Sequence, residues 1–497
     1  MKKMIAALLL LPAMVLAHGW SAPVAIADYD TMEQVAGSGS RAHLVDEKGV
    51  LHFVFFSDFE EPGNTEVYYM KLERGVWSEP LRLSHGQSFS NVPTMTMDGR
   101  GNITVAWYDY RLDWPYGDLF WCRYDAASQT WSSDEPLVVS KTWHSLYPHM
   151  VAEPGGKVHL VFCDGPAVWP LHFQLHYAYW EDGQWSEPVP LTNVATGNRW
   201  MPVFRIDDSG TLHLFWGDDR TAWKDWHVYY KTRSPSGVWS EEVFLGPGMP
   251  HGAVITKNGL LFLSRTSVQE MAGLGIWDAD EGDFTQLKYS VKSLLDPNDV
   301  WLLEEQPVTP LGQHYASQGA LAESYSGVRL VWVLGVKGHH HIYQASVGLH
   351  GMGAPELVSS LIGSNRTVSL SSGPRGDLHL IYAYSTDELD WDIYYRYDAV
   401  RRGGGAAGDE SRIALQYVLP NPASDGATVS LLLPSAGEVE VALYDTAGRR
   451  VGTVFSGGLA AGRHELPVDT AGLRSGTYFI RAAVDGGSDS VPLVVVR

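Results

Sequence analysis

Between residues 92 and 139 the apolar and polar positions fall into four short alternating runs, Val92 to Met97, Ile103 to Tyr108, Leu119 to Tyr124 and Trp131 to Val139, which read as four successive strands. The last run opens on a Trp-Ser pair, and that pair marks a period. Trp77-Ser78, Trp131-Ser132, Trp185-Ser186 and Trp239-Ser240 stand at one constant spacing, 54 residues, usually leading into Glu-Pro or Pro. A fixed period of this length is one structural unit repeated. First and second strands join through short glycine turns: Glu47-Lys48-Gly49, Asp98-Gly99-Arg100-Gly101, Pro154-Gly155-Gly156, Asp207-Asp208-Ser209-Gly210 and Pro374-Arg375-Gly376. Third and fourth strands join equally tightly, as at Glu73-Arg74-Gly75 and Glu181-Asp182-Gly183.

Inner-strand pairs begin near Arg41, Val92, Pro148, Pro202, Gly252, Gln318 and Arg366, which predicts a seven-bladed all-β propeller; the fifth and sixth units are degenerate, so six is the alternative. The seventh unit ends at Tyr394-Tyr395-Arg396-Tyr397 without a fourth strand, while an orphan Trp20-Ser21-Ala22-Pro23 has no unit in front of it. Residues 20–27 are therefore expected to close the ring and cover the open edge.

Alternating strand direction sends the second-to-third loops and the unit-to-unit connections to one face. These are the long, irregular segments 108–118, 140–148, 164–173, 193–201 and 217–227. They carry Trp114, Tyr116, Trp143, Trp169, Trp200, Trp223 and Trp226, with Arg111 and Arg220 among them. Aromatic rings stack on the C–H faces of sugars while charged and amide groups take the hydroxyls, so this set is the candidate ligand-binding surface. The Trp-Ser tryptophans recur in every unit and read as packing. Asp58, Asp109, Asp164 and Asp218, which close second strands, read as acceptors for loop amides, and His52, His159, His213 and His379 read as structural for the same reason of recurrence. The stretch 292–325 breaks the period and holds Asp296, Asp299, Glu304, Glu305, His314, Tyr315, Glu323 and Tyr325, either an ordinary surface loop or a place for an acid or nucleophile. His339-His340-His341 is a poor metal site, because neighbours on a strand point to opposite faces.

Composition narrows the classes. Formal charge is −21, with 57 acidic against 36 basic side chains, which disfavours nucleic acid. Cys122 and Cys163 are too few for a disulfide framework and read as two buried thiols. Met1-Lys2-Lys3 and the apolar run from Ile5 to Ala17 form a signal peptide, cleaved before His18, and no later run is long enough to span a membrane. No metal and no cofactor is expected; a structural calcium is the one exception left open.

The turns Asp182-Gly183-Gln184-Trp185 and Ser236-Gly237-Val238-Trp239 resemble degenerate Asp-box turns of the sialidase-like propeller superfamily, over residues 18–400. That resemblance implies a glycosidase site in which Arg41, Arg199 and Arg366 match an arginine triad, with Glu323 and Tyr325 as candidates for the Tyr–Glu nucleophile pair. The organisation is also similar to that of seven-bladed secreted lectins. The tail resembles the C-terminal sorting domain of the type IX secretion system: Pro420-Asn421-Pro422, Leu443-Tyr444-Asp445 with Gly448-Arg449-Arg450-Val451, Gly462 and His464, and Leu473-Arg474-Ser475-Gly476-Thr477-Tyr478-Phe479. Its alternating runs Val439 to Tyr444 and Tyr478 to Arg481 read as strands of a small Ig-like sandwich. The expected division is a signal peptide 1–17, a propeller 18–400, a linker 401–415 and a sorting domain 416–497 that engages the secretion machinery, giving an extracellular or surface protein. Three roles stay open: binding of a glycan or other extracellular polymer, an exo-glycosidase of sialidase type, and a structural or protein-binding propeller.

Overall fold

The computed structural model describes residues 20–27, 33–35, 42–112, 115–140, 142–166, 172–222, 225–268, 285–296, 300–309, 315–336, 339–359, 363–387, 391–398, 414–419, 423, 426–433, 436–446, 448–460, 462–484 and 487–495. Among them there is no helix. Residues 20–398 form seven antiparallel sheets and residues 414–495 form two more.

Each of the seven sheets is a meander of consecutive strands. The second, for example, runs Ser90–Met97, Ile103–Asp109, Asp118–Asp125 and then two short pieces, Thr130–Trp131 and Glu135–Val138. The fourth strand is thus split where one continuous strand was expected. The cause is its serine, whose Oγ accepts the Arg123 N–H at 3.0 Å and replaces one rung of the ladder. The same bond recurs at 3.0 Å from Lys71 to Ser78, Tyr179 to Ser186 and Thr232 to Ser240. It recurs again from Tyr397 to Ser21, also at 3.0 Å. The orphan Trp-Ser copy therefore does in the last sheet what every other copy does in its own. Val24–Ala27 pairs with Asp392–Asp398 as the outermost strand of that sheet, and Arg396 Nε donates to the Ser21 carbonyl at 2.8 Å.

The innermost strands touch one another in cyclic order, from the first sheet through the seventh and back to the first. This is the arrangement of a β-propeller. Aromatic rings set the contact between successive sheets: Trp131 meets Tyr69, Trp185 meets Trp121, Trp239 meets Tyr177 and Trp301 meets Tyr230, with centroids 4.9, 5.5, 5.4 and 6.2 Å apart. Trp77 of the first sheet meets Tyr395 of the last at 5.3 Å, which closes the ring a second time. Each tyrosine hydroxyl in turn faces a buried imidazole Nδ1: Tyr69 with His52 (2.6 Å), Tyr177 with His159 (2.7 Å), Tyr230 with His213 (2.8 Å) and Tyr395 with His379 (2.9 Å). Nε2 of those rings faces the first-turn carboxylates of Asp46 (3.8 Å), Glu153 (2.9 Å), Asp207 (3.3 Å) and Asp377 (3.0 Å). For His159, His213 and His379 the tautomer with its proton on Nε2 satisfies both neighbours, whereas His52 Nε2 is too far from Asp46 for a hydrogen bond.

The inner strands begin earlier than the alternation predicts, at Ser90, Trp143, Arg199, Met249, Tyr315 and Ser364. Near each expected start the register shifts, and Val92, Tyr147, Met201, Gln318 and Thr367 there have φ between 48° and 57°. A β-bulge resets the alternation, so the strand above it was invisible in the pattern. The described part of the period-breaking stretch 292–325 is mostly sheet, while Asp299 and His314 lie outside the described residues. It holds the last residues of Thr285–Ser293 and all of Trp301–Pro307 and Tyr315–Ser324. Cys122 and Cys163 are buried free thiols. The tail folds as a three-stranded and a four-stranded sheet that share one core, with Val429, Leu431 and Leu466 from one and Val441, Ile480 and Leu493 from the other.

Burial holds His52, His159, His251 and His341 near 4, down from the ordinary 6.5. In the unfolded chain these rings take up protons near pH 6.5, whereas the native rings stay neutral until about 4. Between those limits the unfolded state binds more protons, so stability rises with pH and is lost as pH falls from about 6.5 to 4. Urea midpoints measured across that window should drop steadily, and His159→Gln should flatten the slope. An unchanged midpoint down to pH 4.5 would contradict the assignment.

Candidate functional site

Among the described residues, the strand-two-to-three loops and the sheet-to-sheet connections lie at the end where the inner strands begin, and the short hairpin turns lie at the other. The bulges bend each inner strand just inside that loop-bearing rim.

Of the aromatic residues expected there, Trp114, Trp169 and Trp223 lie outside the described residues. Trp200 and Trp226 are buried, at 7 % and 6 % exposure. Trp200 packs edge-on against Tyr147 and Phe173, both at 4.7 Å, so it fills the gap between the third and fourth sheets. Burial between sheets, rather than display, is where those two rings are used. Trp143 is exposed, at the start of its strand.

Tyr116 stands half-buried in a different setting. Its ring lies 6.1 Å from that of His144, which also contacts Tyr110 at 6.1 Å and Phe173 at 6.5 Å. The Gly117 N–H donates to His144 Nδ1 at 3.0 Å. The neutral ring therefore carries its proton on Nε2, and burial lowers its affinity for a second one. Among the described residues His144 Nε2–H and the Tyr116 hydroxyl have no hydrogen-bond partner, and neither is sealed from solvent. Rings from the second and third sheets thus frame two polar groups that are ready for an external partner. Sequence reasoning named Tyr116 and missed His144 and Tyr110; the signal was the density of aromatics in both loops, which pattern alone could not pair.

The rim arginines are engaged differently. Arg111 is held between Asp109 (2.6 Å) and Asp134, and lies 4.2 Å over the Phe120 ring. Arg220 is held between Asp218 and Glu242 (2.9 Å), 4.1 Å over Tyr229. The two are the same device in the second and fourth sheets. Asp109 and Asp218 also accept the backbone N–H two residues on, at 2.9 Å in both cases, and the indole N–H of Trp107 and Trp216, at 3.1 and 3.2 Å. Those carboxylates hold loops, as their position at strand ends suggested.

The arginine triad implied by the sialidase-like resemblance is not assembled by the described residues. Arg41 lies outside them. Arg199 is fully buried: Nε donates to Asp218 at 3.0 Å and Nη1 to the carbonyls of Thr196 and Gly197, both at 2.9 Å. Arg366 sits 5.0 Å over the Trp391 ring. Glu323 and Tyr325 are at the other end of the ring. Thr367 N–H donates to the Gln318 side-chain carbonyl, which aligns the sixth and seventh inner strands at their bulges. Glu323 lies five residues further down its strand, about 17 Å by the strand rise, and accepts from the Lys257 N–H of a hairpin turn at 3.1 Å. Tyr325 is in the next hairpin turn and exposed. Glu323 and Tyr325 therefore do not meet Arg199 or Arg366.

A second concavity, about 310 Å³, follows the central axis and is lined by inner strands of the first and fourth to seventh sheets, including His43, Arg205, His251, Gln318 and Ser369. His340 and His341 bond Ser364 (3.0 Å) and Ser359 (3.4 Å), and among the described residues no group of three or more His, Cys, Asp or Glu is placed to hold a metal.

The tail decides where the chain goes. Residues 417–496 match the secretion system C-terminal sorting domain family. The protein is exported through the type IX route to the cell surface or the extracellular space. Among the described residues no helix is long and apolar enough to cross a membrane. No curated protein matches the chain. Among solved structures, it is similar to an ulvan lyase, a polysaccharide lyase bound to -[GlcA(1-4)Rha3S]-, at 14% identity over 75% of this chain and 95% of that one, with a TM-score of 0.53. Further matches are an α-L-arabinofuranosidase of Fusarium graminearum with arabinobiose (13% identity, 76% and 98% of the chains, TM-score 0.42) and the β-propeller domain of a trilobed protease from Pyrococcus furiosus (9%, 76% and 95%, TM-score 0.43). At these identities the likeness to the lyase speaks for the fold alone.

Replacing Arg199 leaves the fully buried Asp218 with fewer cations and strips two loop carbonyls of their donor. Arg199→Met should cost about 3 kcal/mol of unfolding free energy, measured by urea titration, because a buried charge loses its partner. A loss under about 1 kcal/mol would mean that Arg220 alone carries the carboxylate.

Proposed function

We propose that this protein is an exported, seven-bladed β-propeller that binds a glycan or other extracellular polymer at its loop-bearing rim. Each of the seven sheets is read as one blade. Residues 1–17 are read as the signal peptide, 18–400 as the propeller, 401–415 as a linker, and 416–497 as an Ig-like sorting domain. The observation that carries the reading is the aromatic frame of Tyr116, Tyr110 and His144, with a phenol hydroxyl and an imidazole N–H left for a ligand. Sugar rings present alternating C–H faces and hydroxyls, and such a frame matches both. Of the remaining sequence candidates, Trp143, exposed at the start of its strand, belongs to the proposed surface; Trp114, Trp169 and Trp223 lie outside the described residues. A sialidase-type hydrolase is the less favoured reading, since Glu323 and Tyr325 lie at the opposite end of the ring from Arg199 and Arg366.

The test is a broad glycan array probed with the exported chain. Specific binding is expected, and Tyr116→Ala or His144→Ala should each weaken it at least tenfold with the thermal midpoint almost unchanged. Trp200→Ala, by contrast, should lower the midpoint, because that ring is core. Absence of binding to any glycan would overturn the reading in favour of a protein-binding or structural propeller.

A further inference from the structure

The charges around the rim say more about the ligand than the aromatics do. Among the described residues, the arginines of the first, second and fourth sheets near that end are each consumed by carboxylates. Arg82 lies between Glu60 (3.1 Å) and Glu66, Arg111 between Asp109 and Asp134, and Arg220 between Asp218 and Glu242. Arg199 shares Asp218 with Arg220, so two guanidiniums and two carboxylates balance there. In the first and second sheets each single guanidinium faces two carboxylates, and the local sum is negative. His144 adds no charge, since its Nδ1 is occupied as an acceptor and its environment lowers its pKa. The whole chain is at −21.

We infer that the rim site selects uncharged glycans and rejects those bearing uronate or sulfate groups. The inference rests on the proposed binding role and adds the class of ligand. A neutral sugar needs only what the frame offers: ring faces, one N–H donor and one hydroxyl. An anionic polymer would meet fixed negative charge with none of these arginines released to receive it, and its own charges repeat along the chain, so the repulsion accumulates within a Debye length of about 10 Å at 0.1 M salt. Freeing an arginine is not an easy remedy, because its removal strands two carboxylates at once.

The experiment compares polymers matched in backbone and differing in charge. Extracellular polysaccharides containing uronate or sulfate are presented to the exported full-length chain as such, and again after carboxyl reduction and desulfation, at 20 mM and 500 mM salt. Binding to the neutral forms is expected at least tenfold tighter than to their charged parents, with the gap narrowing at high salt. Asp134→Asn, which leaves Arg111 facing one carboxylate, should narrow it at low salt while neutral binding holds. Equal or tighter binding of a charged parent, abolished by Tyr116→Ala, would overturn the inference and leave the binding role intact. Failure of every polymer in both forms, or binding indifferent to both Tyr116→Ala and His144→Gln, would overturn the binding role and the inference with it.

Discussion

The ring depends on one contact, made again and again: a tryptophan of one sheet set edge-on against an aromatic ring of the sheet before, a tyrosine in every case but Trp121. A tyrosine packed that deeply has a hydroxyl to satisfy, and leaving it unpaired costs about 1–3 kcal/mol. His52, His159, His213 and His379 meet that need, and first-turn carboxylates in turn hydrogen-bond His159, His213 and His379. In the first and fourth sheets the same carboxylate also holds its own hairpin, as when Asp207 accepts the N–H groups of Ser209 and Thr211, both at 2.9 Å. Turn, strand, and the angle to the next sheet are thus fixed by one chain of bonds. Because Trp77 and Tyr395 join the first sheet to the last in the same way, errors in that angle have nowhere to accumulate.

Fixing the hairpin end leaves the opposite end free to vary. There the inner strands bulge, and five non-glycine residues hold a left-handed backbone that costs each of them about 1–2 kcal/mol relative to ordinary strand. Pro93, Pro148 and Pro202 follow three of them and have no N–H to leave unpaired in the disrupted ladder. The strain is tolerable because the rest of each strand is buried and paired. What it does is turn the first residues of each inner strand out of register with those below, so that loops of different length mount on equivalent strands. Sheet four uses the freedom to bury Trp200 and Trp226; sheets two and three use it to bring Tyr116 against His144.

The repeat was legible because every copy of Trp-Ser does the same two things, pack on the neighbouring sheet and cap a third-strand N–H, and identical physics leaves identical residues. The ring closure was legible for that reason too: Ser21 caps Tyr397 as Ser78 caps Lys71. Strand starts were misplaced by two to five residues, since a bulge breaks alternation at the point where the eye begins to count. Stretch 292–325 looked like an insertion because its fourth strand has Trp301 without a following serine. The site was less legible. Aromatic residues in loops could be counted but not sorted into buried and displayed, because that depends on loop geometry rather than on periodicity. His144 escaped notice for lack of any repeat partner.

Arginine was the residue most easily misread. In sequence, Arg111 and Arg220 stand two residues after an aspartate at the end of a strand, a spacing as suited to a ligand as to a scaffold. The backbone decides between them: the aspartate bonds the N–H two residues on, which folds that residue's side chain back over the strand and onto the same carboxylate. A second acid from the fourth strand then completes the clamp. Charge that looks available in a sequence is in this way spent on holding loops. On the proposed binding role, recognition falls to what the scaffold has not used, and among the described residues of the second and third sheets that is an imidazole N–H, a phenol and the rings around them.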